Sequence, residues 1–369
     1  MGKRIERRRF VTGTAALAGS LAAGALRPAA GAEQRARRSI LNFNENMEYR
    51  PLGHTGLMVS AVCMGGHWKR VEVMLKRSMK ALGYSKADYD LVKSPDFQKN
   101  RHDVVSRLIE VGINYVDACA GPEVLAYSHA LKGRRQKMYL GFSWFEREPR
   151  FPEWRTGKRL IEGLDMSLKE AGLDYVDLWR MTMPADDLPD MAELTRIEEA
   201  AVEAMTKAKQ QGKVRFTGMS THNRVWLKSM IEQYPKQMDV VLFPYTAKSK
   251  ELPVDSLFHS IQKRQVGAFG IKPFSSNALF QGNSSPNAPS REEDDRRARL
   301  AIRYILGNTA VTAPIPGLVN LHQVDNVAKA VAEHRQLDGK EKAELDHAAA
   351  QMWTRLQPDY GWLKNWEYV

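Results

Sequence analysis

The chain has 369 residues, a formal net charge of +12 at pH 7 and only two cysteines. With 43% hydrophobic residues, a chain of this length can bury a large core without covalent cross-links. Two cysteines exclude a disulfide-rich scaffold and a cluster site built from four cysteine ligands.

The first 32 residues predict export. Three arginines at positions 7–9 precede a small-residue apolar run over residues 12–26, and Ala30-Gly-Ala32 has the pattern of a cleavage site. This order is typical of a twin-arginine signal peptide, so we expect contact with the export machinery and a periplasmic or secreted product. A membrane anchor is the alternative, but the run falls short of the roughly 20 residues that a span needs.

Cleavage after Ala32 would also remove much of the positive charge. Residues 1–32 carry five of the twelve net charges, which leaves about +7 on the remaining chain. No basic stripe interleaved with aromatic residues is visible, so the sequence does not predict a nucleic-acid partner. The expected organisation is a signal peptide over residues 1–32, a linker over 33–46 and one domain over 47–369.

Eight apolar, β-rich runs alternate with amphipathic helical patterns. The predicted strands are residues 59–66, 115–120, 138–144, 175–183, 214–220, 240–246, 268–274 and 312–316. The predicted helices are residues 100–111, 122–132, 156–171, 191–211, 223–233, 253–264, 291–306 and 320–334, with an extra C-terminal helix near 339–356. This alternation indicates a parallel sheet, and eight units predict an α/β fold of the (β/α)8 TIM-barrel type.

An open, doubly wound sheet is the alternative architecture. Such a sheet usually has a Gly-x-Gly-x-x-Gly turn after its first strand, whereas this chain has Met64-Gly-Gly-His67 at that point. The barrel is therefore the favoured fold.

Two segments lie outside the repeating units. Residues 68–99 form an insertion after the first strand, with a basic amphipathic stretch over residues 71–82 that could cover the pocket or bind a partner. Residues 282–290 form a turn-rich loop, and the spacing of Ser290 and Glu293 predicts a capping box at the helix that follows.

Several segments resemble the aldo-keto reductase superfamily, in the order in which that family carries them. Residues 49–60 are similar to its opening hairpin and residues 112–117 (GINYVD) to its second strand. The match continues through residues 167–178 (SLKEAGLDYVDL), 211–222 (QGKVRFTGMSTH) and 315–317 (IPG). The resemblance implies a TIM barrel, a nicotinamide cofactor (NADP or NAD) and a small-molecule substrate.

The family's catalytic set is an aspartate, a tyrosine that acts as general acid, a lysine and a histidine. Asp117 matches the aspartate, but the shortened loop that follows it has no tyrosine. Ser143 stands at the position of the lysine and Thr182 at that of the histidine. The resemblance therefore implies a divergent member with a degenerate catalytic set.

The cofactor positions are also only partly matched. Ser220 matches the serine that binds the nicotinamide amide, while Thr221 replaces the usual asparagine beside it. Tyr245 is expected either to stack on a planar ring or to serve packing alone. Gly317 precedes the last barrel helix, where the family binds the cofactor phosphates, but no arginine follows it to hold a 2′-phosphate.

Four polar residues at strand ends are the candidate catalytic groups: Asp117, His67, His222 and Lys272. They follow strands two, one, five and seven, so a barrel would bring them to one face. Lys272 is expected to act as a base or amine nucleophile, or to pair with Asp117 in place of the lost lysine. A metal site is not predicted, because no pair of these residues has local ligand spacing.

Cys63 and Cys119 lie near the ends of two predicted strands. We expect them to be small buried side chains, with a disulfide as the alternative in an oxidising compartment.

Two functions remain open at this point. The first is a divergent NAD(P)-linked oxidoreductase that acts on a small polar carbonyl or sugar-like compound. The second is a non-redox barrel, either a small-molecule or carbohydrate-binding protein or a lyase or hydrolase, because the tyrosine, lysine and histidine are missing.

Overall fold

The computed structural model describes residues 39–66, 86–185, 190–249 and 256–364. The predicted signal peptide, His67 and the amphipathic stretch 71–82 lie outside the described residues.

The described strands form a short hairpin and a seven-stranded parallel sheet. The hairpin joins β1 (Tyr49–Pro51) to β2 (Met58–Ser60) in antiparallel pairing. The parallel strands follow one another in chain order: β3 (Tyr115–Ala118), β4 (Tyr139–Phe142), β5 (Val176–Thr182), β6 (Val214–Ser220), β7 (Val240–Pro244), β8 (Gly267–Ile271) and β9 (Ala313–Pro314).

The nine predicted helices are confirmed, with boundaries that move by a few residues, and the insertion over residues 68–99 holds one further short helix that was not predicted. They are α1 (Lys86–Leu91), α2 (Pro95–Glu110), α3 (Gly121–Ala130), α4 (Gly157–Ala171), α5 (Met191–Gln210), α6 (Arg224–Gln233), α7 (Leu257–Arg264), α8 (Arg291–Gly307), α9 (Leu321–Ala332) and α10 (Gly339–Arg355). A 3-10 turn over Pro358–Lys364, which we call the C-terminal turn, follows α10. None of the described helices has the length and apolar character needed to cross a membrane.

Residues 63–65 close the sheet into the predicted (β/α)8 barrel. The backbone N–H groups of Cys63 and Gly65 donate to carbonyls within residues 314–316, at 3.0 and 2.8 Å. On the other side, Met64 exchanges backbone hydrogen bonds with residues 115–117, at 3.1 and 2.8 Å. These bonds join the first and last strands of the barrel, because residues 63–65 lie between them.

The predicted first strand over residues 59–66 is divided, and only its second half belongs to the barrel. Its first residues join the hairpin, where the Asn114 side chain accepts a hydrogen bond from Ser60 N (2.9 Å) and donates one to Met58 O (3.0 Å). One asparagine thus satisfies two backbone groups that would otherwise need a neighbouring strand.

The barrel interior is filled by apolar side chains, including a stacked pair, Tyr115 and Phe269, with ring centroids 4.4 Å apart. The hairpin contributes Leu52, Leu57 and Val59 to this interior cluster. The packed interior leaves the carboxyl ends of the strands as the place where a ligand cavity can form.

The predicted capping box of Ser290 and Glu293 does not form. Ser290 Oγ instead donates to Asp294 Oδ2 at 3.1 Å, and its side chain makes no capping bond. The Asp294 carboxylate also accepts from the backbone N–H groups of Gln281 and Gly282, each at 2.7 Å. Asp294 therefore ties the turn-rich loop to the start of α8.

Candidate functional site at the barrel mouth

A cavity of about 530 Å³ opens at the carboxyl ends of the barrel strands. Its volume lies within the roughly 300–1,000 Å³ typical of small-molecule sites. Strand ends line one part of it, through Gly65, Asp117, Thr182, Ser220, Lys272 and Gly317. The cavity continues between the loop that follows β8 and the amino-terminal parts of α8 and α9.

The structure brings three of the four predicted catalytic residues to this cavity. Asp117, His222 and Lys272 all line it, although they come from three separate strand ends. The fourth, His67, lies outside the described residues.

Asp117 is held in a buried ion pair with Arg180, a residue that the sequence analysis did not select. Arg180 Nη2 and Nε donate to Asp117 Oδ1 at 2.5 and 3.1 Å, and Tyr115 OH donates to Oδ2 at 2.8 Å. Asp117 and Arg180 are only 2% and 4% exposed. Burial alone would lower the pKa of Arg180, but the Asp117 carboxylate outweighs burial and raises that pKa above its ordinary value. Arg180 therefore remains a cation.

The predicted pairing of Asp117 with Lys272 was wrong. Arg180 occupies the position next to the carboxylate because it lies on β5, two residues before Thr182, and so points to the same face of the sheet. This period of two is the signal from which Arg180 could have been found.

A glycine on the intervening strand makes room for this network. Gly141 on β4 is paired in register with Asp117. A Cβ atom at Gly141 would lie 1.9 Å from Tyr115 OH and 2.8 Å from Asp117 Oδ2. Only a residue without a side chain leaves space for the hydrogen bonds that cross β4.

Glu148 joins the two positions that the sequence aligned with the family's lysine and histidine. Ser143 Oγ and the backbone N–H of Thr182, the latter at 3.0 Å, both donate to Glu148 Oε1. The other carboxylate oxygen lies 3.2 Å from Arg150 Nε. Burial raises the pKa of Glu148, and the Arg150 charge acts in the opposite direction. Nothing in the sequence spacing predicted this contact, which depends on the loop between β4 and α4.

His222 stacks on an aromatic ring from the C-terminal turn. Its ring and that of Trp362 are nearly parallel, at 19°, with centroids 4.0 Å apart. Burial, reinforced by the positive charges of Lys272 and Arg150, lowers the pKa of His222 to about 2. The imidazole is therefore neutral at neutral pH.

Lys272 begins a turn with unusual backbone geometry. Its φ is 57°, and Ser275, Ser276 and Asn277 also have positive φ values of 48°, 56° and 70°. Each such non-glycine residue costs roughly 1–2 kcal/mol. Strain of this kind clusters at functional sites, and Lys272, Ser276 and Asn277 all line the cavity.

The predicted cofactor residues divide into two groups. Ser220 and Gly317 line the cavity, as the sequence led us to expect. Thr221 and Tyr245 are buried but do not belong to the lining within the described part of the chain. Tyr245 OH accepts from Asn308 Nδ2 at 3.1 Å, and its ring lies edge-on to Phe258. This placement matches the packing alternative for Tyr245.

The far end of the cavity lies at the amino terminus of α9. Asn320 caps this helix by accepting from Gln323 N at 2.8 Å. Arg291, Asn320 and Gln323 contribute to the lining, together with two carboxylates, Asp294 and Asp295. The amino terminus of a helix attracts anions, and the Arg291 guanidinium adds a positive charge, so this end offers a place for a phosphate beside the two carboxylates.

Neither cysteine forms a disulfide. Cys63 is buried and donates to Ser60 O at 3.2 Å, while Cys119 is half-buried and lines the cavity. Within the described ranges, no three histidine, cysteine or carboxylate side chains are grouped closely enough to bind a metal ion.

Residues 99–299 match the Aldo/keto reductase family. The matched segment is more than half of the chain, and the protein belongs to this family.

Individual relatives are distant. The chain is 22% identical over 312 residues to L-galactose dehydrogenase from Arabidopsis thaliana, a match that covers 79% of this chain and 90% of that protein. It is also 22% identical over 229 residues to L-glyceraldehyde 3-phosphate reductase from Escherichia coli strain K12, over 52% of this chain and 64% of that one. The solved holo form of aldo-keto reductase AKR11C1 from Bacillus halodurans superposes with a TM-score of 0.58 at 21% identity, covering 82% and 96% of the two chains. This structural likeness supports the barrel fold.

We predict that Asp117→Asn lowers the free energy of unfolding by about 3–5 kcal/mol, because it removes the carboxylate that pairs directly with the buried Arg180. Adding Arg180→Met should recover much of that loss. Asp103→Asn is the matched control, since Asp103 pairs with Lys99 at the surface and should contribute at most about 1 kcal/mol. Urea denaturation of the four proteins measures the difference. Equal stability of Asp117→Asn and the wild type would show that the ion pair contributes nothing.

Proposed function

We propose that the protein is a divergent NAD(P)-linked oxidoreductase that acts on a small polar carbonyl or sugar-like compound. The observation that carries the proposal is one continuous cavity, which joins a charged barrel mouth at Asp117 to the amino terminus of α9 at Asn320. Membership of the aldo/keto reductase family supports the same reaction class.

The residues at the cavity fit a dinucleotide. Ser220, at the strand end, would bind the nicotinamide amide, as the resemblance implies. The amino terminus of α9, beginning after Asn320, and the Arg291 guanidinium would hold phosphates. Asp294 and Asp295 also line this end of the cavity, and their negative charges would disfavour the additional 2′-phosphate of NADP. For this reason NAD and NADP both need to be tested.

The charged mouth would bind and orient the substrate oxygen. When bound, the cofactor would supply a hydride for the carbonyl carbon, or accept one from the alcohol. Arg180 lines the cavity as a permanent cation fixed by Asp117, so it can stabilise negative charge that develops on the carbonyl oxygen. It cannot supply a proton, because its pKa is raised.

The polarity of the mouth favours a polar substrate. Thr182, Ser220, His222 and Lys272 line the same cavity as Arg180. A substrate with several hydroxyl groups would satisfy these donors and acceptors, whereas a purely apolar aldehyde would leave them without partners. Similarity to L-galactose dehydrogenase, a protein whose name specifies a sugar, supports this inference.

A non-redox barrel is the second candidate. It is favoured by Ser143 and Thr182, which stand where the family has its lysine and histidine; the Ser143 hydroxyl and the backbone N–H of Thr182 both donate to Glu148. In that case the cavity would bind a polar small molecule or carbohydrate without a nicotinamide.

Titration of the purified protein with NADH and with NADPH should change the nicotinamide fluorescence in a saturable way. Asn320→Ala should weaken the binding by roughly three- to tenfold, because loss of a cap worth about 1 kcal/mol disturbs the helix terminus at the cavity. Asp190→Ala is the matched control, since Asp190 caps α5 in the same way but does not line the cavity. Absence of a saturable signal with both nucleotides would favour the non-redox barrel.

We also propose that the protein is exported through the twin-arginine route and acts in the periplasm or outside the cell. Support comes from the arginines at positions 7–9, the short apolar run and the cleavage pattern that ends at Ala32.

Replacing both Arg7 and Arg8 with lysine should trap the precursor in the cytoplasm, because the export receptor recognises the arginine pair. Arg27→Lys, a change of the same kind outside the motif, should leave export unaffected. Cell fractionation, with determination of the processed amino terminus, provides the measurement. Processing at Glu33 in the double variant would contradict the twin-arginine assignment.

A further inference from the structure

The C-terminal turn contributes to the wall of the cavity. Leu363 anchors the turn in the protein, since its side chain is fully buried. Trp362 stacks on His222, and Tyr360 lines the cavity itself. A segment that follows the last barrel helix by more than twenty residues therefore reaches the mouth of the barrel.

Lys272 lies beside both aromatic rings of this turn. Its Nζ atom is 5.9 Å from the centroid of the Tyr360 ring and 5.8 Å from that of Trp362. The cavity thereby gathers a lysine that follows β8, a neutral histidine that follows β6 and a phenol from the C-terminal turn.

The proposed reaction needs a proton donor that can approach the substrate oxygen. Arg180 keeps its charge and its proton. The pKa of His222 is lowered to about 2, so the ring is neutral near pH 7 and has no imidazolium proton to donate. The hydroxyl groups of Thr182 and Ser220 are also very weak acids. Asp117 is engaged by Arg180 and Tyr115, while His322, Asp294 and Asp295 lie at the α9 end of the cavity. Among the described residues that line the rest of the cavity, this leaves the phenol of Tyr360, the thiol of Cys119 and the ammonium of Lys272 as acids.

We propose that Tyr360 is the proton donor of this site, with Lys272 as a positioning residue that acts through it. The inference rests on the proposed oxidoreductase function. Tyr360 is favoured over Cys119 because the positive charge of Lys272 lies next to its ring and stabilises the phenolate that proton donation leaves behind.

A bound reduced nicotinamide would supply a hydride to the carbonyl carbon, and the carbonyl π bond would break as its electron pair moves to oxygen. The phenolic proton of Tyr360 transfers to that oxygen, which forms the alcohol O–H bond. The carbonyl is reduced and the nicotinamide oxidised, and the Tyr360 phenolate recovers a proton from solvent. Oxidation of an alcohol follows the same path in reverse.

A spectroscopic pH titration tests the pairing without a substrate. Tyrosinate absorbance is recorded for the wild type and for Tyr360→Phe, and their difference isolates one of the 12 tyrosines. The same comparison is then made between Lys272→Met and the double variant Lys272→Met, Tyr360→Phe. The Tyr360 titration obtained in this way should shift to higher pH by roughly one unit, because the neighbouring positive charge is lost.

The chain offers a matched control pair. Lys342 Nζ lies 5.8 Å from the Tyr304 ring centroid, in a contact similar to that of Lys272 with Tyr360, but neither residue lines the barrel-mouth cavity. Tyr304→Phe and Lys342→Met should therefore leave the titration of Tyr360 unchanged.

Reduction of glyceraldehyde with NADH and with NADPH gives the second readout. Tyr360→Phe should lower kcat by about 10²–10⁴-fold with little change in KM and in cofactor binding, and it should flatten the alkaline limb of the pH profile. Tyr304→Phe should retain the wild-type rate. Circular dichroism checks that each variant is folded.

Three results would overturn the assignment: an identical Tyr360 titration with and without Lys272, wild-type kcat in Tyr360→Phe, or a comparable loss of kcat in Cys119→Ser alone. Failure of the proposed function would look different. In that case neither nucleotide would bind, while the Tyr360 titration would still depend on Lys272.

Discussion

Two opposite charges are buried side by side at the mouth of the barrel, and the neighbouring groups are arranged around them. Arg180 reaches from β5 across β4 to Asp117 on β3, and Gly141 leaves the space that this contact requires. Removing either charge alone would leave the other uncompensated in a buried site, at a cost of about 3–5 kcal/mol. The pair therefore constrains which residues can occupy three neighbouring strands.

The same pair determines what the mouth can do chemically. Its carboxylate is already engaged by Arg180 and Tyr115, so Asp117 positions the guanidinium and is not itself exposed as a free base. The Glu148 carboxylate is likewise engaged, because it accepts hydrogen bonds from the Ser143 hydroxyl and from the backbone N–H of Thr182. The groups that remain available for proton transfer come from outside β3 to β5, which is why the C-terminal turn becomes relevant to the proposed chemistry.

The barrel could be predicted from the sequence because its signals are local and periodic. Strand and helix patterns alternate eight times, and residues at strand ends must converge on one face whatever their separation in the chain. This geometry was sufficient to place Asp117, His222 and Lys272 at one cavity. It failed for the partner of Asp117, because the choice between Lys272 and Arg180 depends on side-chain reach and on the space above Gly141.

Residues outside the repeating units could not be placed in this way. Tyr360 and Trp362 follow the extra helix α10, and no strand or helix period links them to the mouth. Glu148 lies in a loop whose path depends on tertiary contacts, including the ring of Phe145 beneath Arg150. The predicted capping box also failed for a tertiary reason, since Asp294 is used to fasten the neighbouring loop.

A crystal structure of the protein grown with saturating NADH or NADPH would test the central claim most directly. The account predicts that the nicotinamide ring lies beside Ser220 in the charged part of the cavity and that the phosphates lie at the start of α9. It further predicts that the open face of the ring points toward Arg180 and Tyr360. A nucleotide bound elsewhere, or a cavity that stays without nucleotide at saturating concentration, would contradict the account.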